Sequence, residues 1–267
     1  MSAIDVLFHN LRAAKRKALM PFVTAGDPDL QFTSDLLRTL VARGSSLCEL
    51  GIPYSDPVAD GPVIQSSYTR ALQHKVKLSG IFEMLGRTMP ELKAPVVSMV
   101  SYSIIYRHGL EAYVTHARKA GLAGAIVPDL PAEESSALAE ICRRQDFSLV
   151  QLIAPTTPRE RALRIAERAS GFIYYVSVTG ITGERSELPA EILDNVAWLR
   201  GQTPLPICIG FGISRAEHVR MLAPVADGLI VGSAIVRRIA EASSRPRGEV
   251  LREIGDYAAE LIAAMEE

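Results

Sequence analysis

Short apolar runs alternate with longer amphipathic stretches along the chain, eight times over. The runs are rich in Val, Ile, Leu and Tyr and are bounded by Gly, Pro, Asp or Ser, which is the pattern of buried parallel strands. We predict strands at Ala18–Thr24, Ser46–Leu50, Pro95–Ser101, Gly124–Val127, Ser148–Ala154, Gly171–Val178, Pro206–Phe211 and Gly228–Val231. Helical spacing of apolar residues predicts helices at Gln31–Arg43, Ala132–Arg144, Pro158–Arg168, Arg215–Leu222 and Gly248–Met265.

Eight strand–helix alternations in 267 residues match the size of a (β/α)8 TIM barrel. An open doubly wound sheet shares the local pattern. Eight repeats without a Pro/Ser-rich hinge or a low-complexity tract favour the closed form. We therefore predict an α/β chain with a single barrel domain over residues 1–267 and an extra amphipathic helix at the N-terminus. The active site of such a barrel lies at the C-terminal ends of its strands.

Composition excludes several classes of protein. A net charge of −1 does not indicate binding to nucleic acid or to an anionic membrane. No apolar run approaches the length of a membrane span, and the N-terminus has no secretory apolar core. The three cysteines are too few and too scattered for a disulfide framework, so we expect a reducing, cytoplasmic location. The five histidines fall in helical stretches without metal-ligand spacing, so we expect no metal site.

Two carboxylates stand out at the second strand. Glu49 lies near the end of the apolar run, and Asp60 lies in the Gly- and Pro-rich loop that follows. If Glu49 faces the barrel interior, desolvation raises its pKa and suits it to both acid and base catalysis. The alternative is structural: Glu49 pairs with an Arg or Lys between strand and helix, and Asp60 caps the helix that starts near Pro62.

Glycine-rich turns follow the last three predicted strands, at Thr179–Gly183, Gly210–Ser214 and Val231–Ala234. Glycine lets backbone N–H groups approach an oxyanion, and a helix N-terminus favours negative charge. Phosphate sites after strands 7 and 8 are frequent in this fold, although each turn is also typical of tight strand–helix connections. The polar stretch Thr179–Ala190 is either a lid over the barrel mouth or an exposed surface loop.

Several motifs resemble the tryptophan synthase α subunit family over nearly the whole chain. They are Met20–Pro28 (MPFVTAGDP), Glu49–Pro62 (ELGIPYSDPVADGP), Gly180–Gly183 (GITG), Gly210–Ser214 (GFGIS) and Gly232–Val236 (GSAIV), of which the second is highly specific. The resemblance implies retro-aldol cleavage of indole-3-glycerol phosphate to indole and glyceraldehyde 3-phosphate, with no metal or redox cofactor. It implies that Glu49 transfers the protons and that Asp60 stabilises positive charge at the indole N–H.

The same resemblance implies the substrate-binding residues. Tyr174 is expected beside Glu49, and Thr182 is expected to orient Asp60 when the lid closes. The indole ring is expected to contact Phe22, Val100 and Tyr102, and the phosphate to bind backbone groups of Gly183, Gly212, Gly232 and Ser233.

A partner is also implied by this resemblance. Family α subunits dock on a β subunit that depends on pyridoxal phosphate (PLP) and joins indole to serine, in an α2β2 assembly. Pro53 and Asp56, with the loop after Tyr102, resemble the docking surface. Ser103 and Ile104 stand where Asn-Pro is often found, and this departure concerns docking rather than the chemistry.

Three other interpretations fit parts of the sequence. The first is a stand-alone lyase on the same fold that releases free indole. The second is a non-catalytic barrel that binds a phosphate ligand or a partner. The third is another phosphate-binding barrel enzyme, such as an isomerase, because two carboxylates and a phosphate site do not specify the reaction.

Overall fold

A computed structural model describes residues 2–57, 60–176, 191–210 and 212–266. Eight parallel strands close into one barrel, each hydrogen-bonded to its sequence neighbours and β8 to β1. The strands are β1 (Ala18–Thr24), β2 (Cys48–Gly51), β3 (Val96–Met99), β4 (Gly124–Ile126), β5 (Ser148–Ile153), β6 (Ile173–Val176), β7 (Ile207–Gly210) and β8 (Gly228–Val231). The TIM barrel prediction is confirmed, and the open doubly wound sheet is wrong.

Amphipathic helices pack around the barrel with their apolar faces against the strands. The described helices are α1 (Ala3–Ala13), α2 (Leu30–Ala42), α3 (Pro62–Gln73), α4 (Leu78–Thr88), α5 (Tyr102–His108), α6 (Leu110–Lys119), α7 (Ser136–Arg144), α8 (Arg159–Arg168), α9 (Glu191–Arg200), α10 (Ala216–Leu222), α11 (Ser233–Ala240) and α12 (Arg247–Glu266). Short 3-10 turns occupy Met89–Glu91, Ala132–Glu134 and Glu241–Ser243. None of these helices is long and apolar enough to cross a membrane.

One predicted helix is divided in the structure. The stretch 132–144 consists of a 3-10 turn followed by α7, rather than one continuous helix. The Ser135 hydroxyl donates to the Ala132 carbonyl over 2.8 Å, and this local bond competes with the regular helical ladder.

The strand register places Glu49 in the upper part of the barrel interior. A Cβ on Gly228 would lie 3.0 Å from Cys208 Sγ and 3.2 Å from Met20 Sδ, so these side chains share one face. Phe22 is two residues beyond Met20 and therefore lies on the same face. Phe22 pairs in register with Glu49. Because residues aligned across neighbouring strands point the same way, Glu49 shares this face with Phe22. The face is the interior, because Glu49 on β2 interacts with Tyr174 on β6, at the opposite side of the barrel.

Helix α1 closes the N-terminal end of the barrel. Its Phe8 ring packs 6.0 Å from Phe172, and a Cβ on Gly171 would lie 3.3 Å from Ile4 Cγ2. Ile4 and Phe8 are buried. The predicted N-terminal helix is therefore present and seals the floor of the barrel.

Candidate active site

Glu49 is a buried carboxyl group to which no described residue donates a hydrogen bond. It is 0% exposed, and neither side-chain oxygen is hydrogen-bonded within the described residues. Burial raises its pKa to about 8, and the charge of Asp60 adds to the shift. The group is therefore mostly protonated at neutral pH, yet it ionises at small cost, as an acid that must also act as a base requires. The structural alternative, a salt bridge to Arg or Lys, is wrong.

Asp60 lies in the loop between β2 and α3, where burial raises its pKa to about 6. Its backbone carbonyl accepts a 2.7 Å hydrogen bond from Gln65 Nε2, which fixes the loop. The N-cap of α3 is Gly61, and no side chain caps this helix. The predicted capping role of Asp60 is therefore wrong, and its carboxylate is mostly ionised at neutral pH.

Aromatic side chains surround the carboxyl group of Glu49. A Cβ on Gly51 would overlap the Phe22 ring, so the glycine makes room for Phe22 at the mouth. Tyr174 is buried, and its pKa is raised well above the usual value by burial and by the charges of Glu49 and Asp60. Tyr174 on β6 therefore faces Glu49 on β2 across the interior.

Tyr175 points the other way, as the alternation of side chains along a strand predicts. Its pKa is raised by burial, and Asn195 and Glu191 of α9 also act on it. Tyr175 therefore faces the surrounding helices. Of the two adjacent tyrosines, Tyr174 alone belongs to the interior.

A cleft of about 420 Å³ opens beside Asp60 at the C-terminal end of the barrel. Val100 and Asp56, which were singled out in the sequence, line it with Asp60. Tyr102 begins helix α5 directly after this wall and lies 6.1 Å from the ring of Tyr106. The cleft thus brings the loops after β2 and β3 together beside the carboxylates.

The loops after β7 and β8 lie on the other side of the mouth. Gly212 has a φ of +78°, which favours glycine. Gly232 is the N-cap of α11, and Ser233 is its first residue, so the N–H groups of this helix start at the mouth. A Cβ on Gly232 would lie 3.8 Å from Phe22 Cβ, which places Gly232 next to the aromatic wall. Thr182 and Gly183 lie outside the described residues, as does the stretch 179–190.

Comparison with known proteins decides the family. Residues 8–265 match the family model described as tryptophan synthase alpha chain. The chain belongs to the tryptophan synthase alpha chain family. This family cleaves indole-3-glycerol phosphate to indole and glyceraldehyde 3-phosphate, and the chain is a lyase of tryptophan biosynthesis.

Individual relatives are similar to this chain over most or all of its length. The tryptophan synthase alpha chain of Rhodopirellula baltica is 53% identical and covers 100% of this chain and 99% of its own length. The crystal structure of the alpha chain from Legionella pneumophila has a TM-score of 0.89 at 32% identity, with coverage of 100% and 98%. A chain from the tryptophan synthase α2β2 complex of Pyrococcus furiosus has a TM-score of 0.85 at 37% identity, with coverage of 92% and 98%.

Asp129 is a further carboxylate at this site that the sequence motifs do not single out. It follows β4, lines the same cleft as Asp60, and accepts hydrogen bonds from Ser101 Oγ at 2.7 Å and from Tyr102 N at 2.8 Å. Asp129 thereby ties the start of α5 to the loop after β4. A carboxylate two residues after a predicted strand is the signal that could have indicated it.

Tyr68 was also missed. It lies on α3, is 3% exposed and lines the cleft with Asp60. At helical spacing a tyrosine is typical of core packing, so no pattern in the sequence distinguishes it. The interaction of α3 with the barrel mouth brings it to the cleft.

The structure brings His108 and His116 together, although their sequence spacing does not indicate this. His108 Nε2 lies 2.8 Å from His116 Nδ1, because the chain turns at Gly109 between α5 and α6. The pKa of His108 is lowered by burial and by His116. Within the described residues no group of three or more metal-ligating side chains assembles.

Proposed function

We propose that Glu49 and Asp60 carry out the cleavage of indole-3-glycerol phosphate in this chain. The observation that supports the proposal most strongly is the buried, unpaired carboxyl of Glu49, with its pKa raised to about 8. A group with a pKa near the working pH is the most effective proton donor and acceptor.

In the first step neutral Glu49 donates its proton to indole C3. The ring then carries positive charge that extends to the indole N–H. Ionised Asp60 stabilises that charge, and the effect is strong because the site is largely shielded from water. A pKa of about 6 leaves Asp60 ionised at neutral pH.

In the second step ionised Glu49 accepts the proton of the glycerol hydroxyl next to C3. The carbon–carbon bond breaks as that oxygen forms the aldehyde, and the bonding electrons return to the indole ring. The products are indole and glyceraldehyde 3-phosphate, and Glu49 is again protonated. Each of the two roles contributes on the order of 10²–10⁴ in rate.

The substrate lies across the mouth in this proposal. The indole ring packs against Phe22, Val100, Tyr102 and Tyr174, and Thr182 orients Asp60. The phosphate binds backbone groups of Gly183, Gly212, Gly232 and Ser233. The neighbouring positions of Gly232 and Phe22 support an arrangement in which the phosphate lies beside the aromatic wall.

The partner in this proposal is a β subunit, in an α2β2 assembly within the cytoplasm. Pro53 and Asp56 contact it, together with α5, because the residues after Tyr102 form this helix rather than the predicted loop. The Tyr54 hydroxyl donates to Ser103 Oγ over 3.3 Å, which links the loop after β2 to α5. PLP belongs to the β subunit, and the single barrel domain over 1–267 uses no cofactor of its own.

The test is the formation of indole from indole-3-glycerol phosphate, by the chain alone and with a tryptophan synthase β subunit added. We expect slow turnover alone and a strong increase with β. Fast turnover that β does not change would support the stand-alone lyase instead. Glu49→Gln should abolish turnover while the exposed control Glu133→Gln retains it. Equal indole formation by both variants would contradict the role of Glu49, and no indole formation by the wild type would favour a non-catalytic barrel.

A further inference from the structure

Tyr68 places a hydroxyl group at the mouth of the barrel, between the strand of Glu49 and the loop of Asp60. The hydroxyl oxygen lies 2.9 Å from the position that a Cβ on Gly51 would occupy. Gly51 is two residues beyond Glu49 on the same face of β2. Tyr68 also lines the cleft with Asp60. The phenol therefore lies close to both carboxyl groups.

Tyr68 is only 3% exposed and borders the cleft, and among the described residues no hydrogen bond acts on its hydroxyl. Buried tyrosine hydroxyls normally have a partner. By contrast, the buried Tyr113 hydroxyl lies 3.0 Å from Ser98 Oγ. An unused donor at the wall of the substrate cleft indicates a bond that forms when the cleft is occupied.

The surroundings keep this phenol protonated. Burial raises the pKa of Tyr68 well above the usual value, and the charges of Asp60 and then Glu49 raise it further. Tyr68 therefore remains a hydrogen-bond donor at every working pH. The best acceptor for a phenol is an ionised carboxylate, because charge-assisted hydrogen bonds are about twice as strong as neutral ones.

We propose that Tyr68 is a positioning residue whose hydroxyl donates a hydrogen bond to the Asp60 carboxylate in the substrate complex. This bond keeps Asp60 ionised and directed at the indole nitrogen, and the inference rests on the role proposed for Asp60 above. Asp60 is the better acceptor because it stays ionised throughout the reaction, whereas Glu49 begins it in the neutral form.

No cation competes for this role among the described residues that line the cleft. The titratable side chains facing Asp60 there are Glu49 and Tyr174 from the interior and Tyr54, Asp56, Tyr68 and Asp129 from the cleft wall. Arg70, also on α3, is bound by Asp27 at 2.9 and 2.7 Å. Since the other titratable groups in this described part of the cleft are acidic or phenolic, a neutral hydroxyl donor is the group that suits a charged Asp60 there.

The test is Tyr68→Phe, which removes only the hydroxyl, with Tyr113→Phe as the matched buried control. In steady-state indole assays of the α chain with its β subunit, we expect kcat of Tyr68→Phe to fall by ~10–100-fold, as expected for a hydrogen bond to a charged group. KM should change less than about threefold, as expected when an interaction is used mainly in the transition state.

The pH profile separates this role from simple packing. Loss of a donor to the ionised form raises the pKa of Asp60 in the substrate complex, so the acidic limb of kcat should move to higher pH in Tyr68→Phe. Tyr113→Phe should leave that limb in place. A double variant with Asp60→Asn should lose less activity than the product of the two single losses.

Two outcomes would overturn the inference. One is a folded Tyr68→Phe enzyme with wild-type kcat and an unmoved acidic limb. The other is multiplicative losses in the double variant. In either case indole formation by the wild type and by Tyr113→Phe would leave the lyase assignment intact. No indole from the wild type would instead contradict the assignment itself.

Discussion

Buried carboxyl groups have opposite surroundings at the mouth and at the floor of this barrel. At the floor, Asp227 is 4% exposed, and it accepts a hydrogen bond from Arg12 at 3.3 Å and from the Ile207 N–H at 3.0 Å. Arg200 lies 3.6 Å away as a second cation. At the mouth, Glu49 is 0% exposed and neither of its oxygens has a partner in the described part of the chain.

The difference separates stability from chemistry. Asp227 is surrounded by donors that compensate its lost hydration, so its negative charge joins α1, α9 and β7 to the floor. Glu49 lacks that compensation, which destabilises the charged form and brings its pKa to the range where it can exchange protons. Active sites commonly carry local destabilisation that the rest of the fold supports.

The largest effect that we predict is the loss of turnover on substitution of Glu49 at the mouth. Glu49→Gln keeps the shape of the side chain but removes the transferable proton, so kcat should fall by at least ~10²–10⁴-fold. Steady-state indole formation measures this. A variant with one-tenth of wild-type turnover or more would mean that another group transfers the proton.

The stability of the wild type relative to this variant should fall as pH rises, because only the wild type carries the titrating carboxyl. In the wild type the pKa of Glu49 rises from 4.5 in the unfolded chain to about 8 in the folded one. Between these values the folded state holds the extra proton, so rising pH destabilises it, and the loss is complete above pH 8. Urea unfolding at pH 5, 7 and 9 should show the free energy of unfolding of Glu49→Gln rising relative to that of the wild type, by up to about a few kcal/mol. If the free energy of unfolding changed equally with pH in both proteins, the raised pKa of Glu49 would be contradicted.

At the floor, Asp227→Asn should cost stability without affecting chemistry. The change removes the charge that Arg12 and Arg200 share, and both arginines are partly exposed and can turn to solvent. We expect a loss of ~1–3 kcal/mol in the free energy of unfolding, with kcat of the folded enzyme unchanged. A large drop in kcat at unchanged stability would remove the distinction between the two ends.

The smallest effect is expected at an exposed ion pair. Glu83 and Arg87 on α4 approach to 3.3 Å but are 70% and 72% exposed. Arg87→Ala should change the free energy of unfolding by less than about 0.5 kcal/mol. A loss as large as that of Asp227→Asn would show that charge pairing alone, rather than burial, decides the contrast.

Local patterns in the sequence are sufficient to predict much of the fold. The predicted strands at Ala18–Thr24 and Gly228–Val231 coincide with β1 and β8, because apolar runs bounded by turn residues specify buried strands. The strand around Glu49 begins two residues later than predicted and extends to Gly51. A period of two allows either face for Glu49, and only the closed register with Phe22 selects the interior.

The site was predictable only where its residues follow strand ends or match a family motif. Glu49 and Asp60 meet both conditions. Tyr68 lies on a helix, and its place at the mouth depends on how α3 packs against Gly51, whose missing side chain leaves room for the Phe22 ring and the Tyr68 hydroxyl. The pairing of Asp129 with Tyr102 joins two loops that are far apart in sequence. Such long-range contacts leave no periodic signal.

The central claim is that the Glu49 carboxyl is protonated at neutral pH because it is buried without a partner. The most direct measurement is a carbon-13 NMR titration of glutamate side-chain carboxyls in the wild type, with Glu49→Gln identifying the resonance that disappears. We predict that this resonance titrates with a pKa of about 8. A midpoint near the ordinary value of 4.5 would contradict the account.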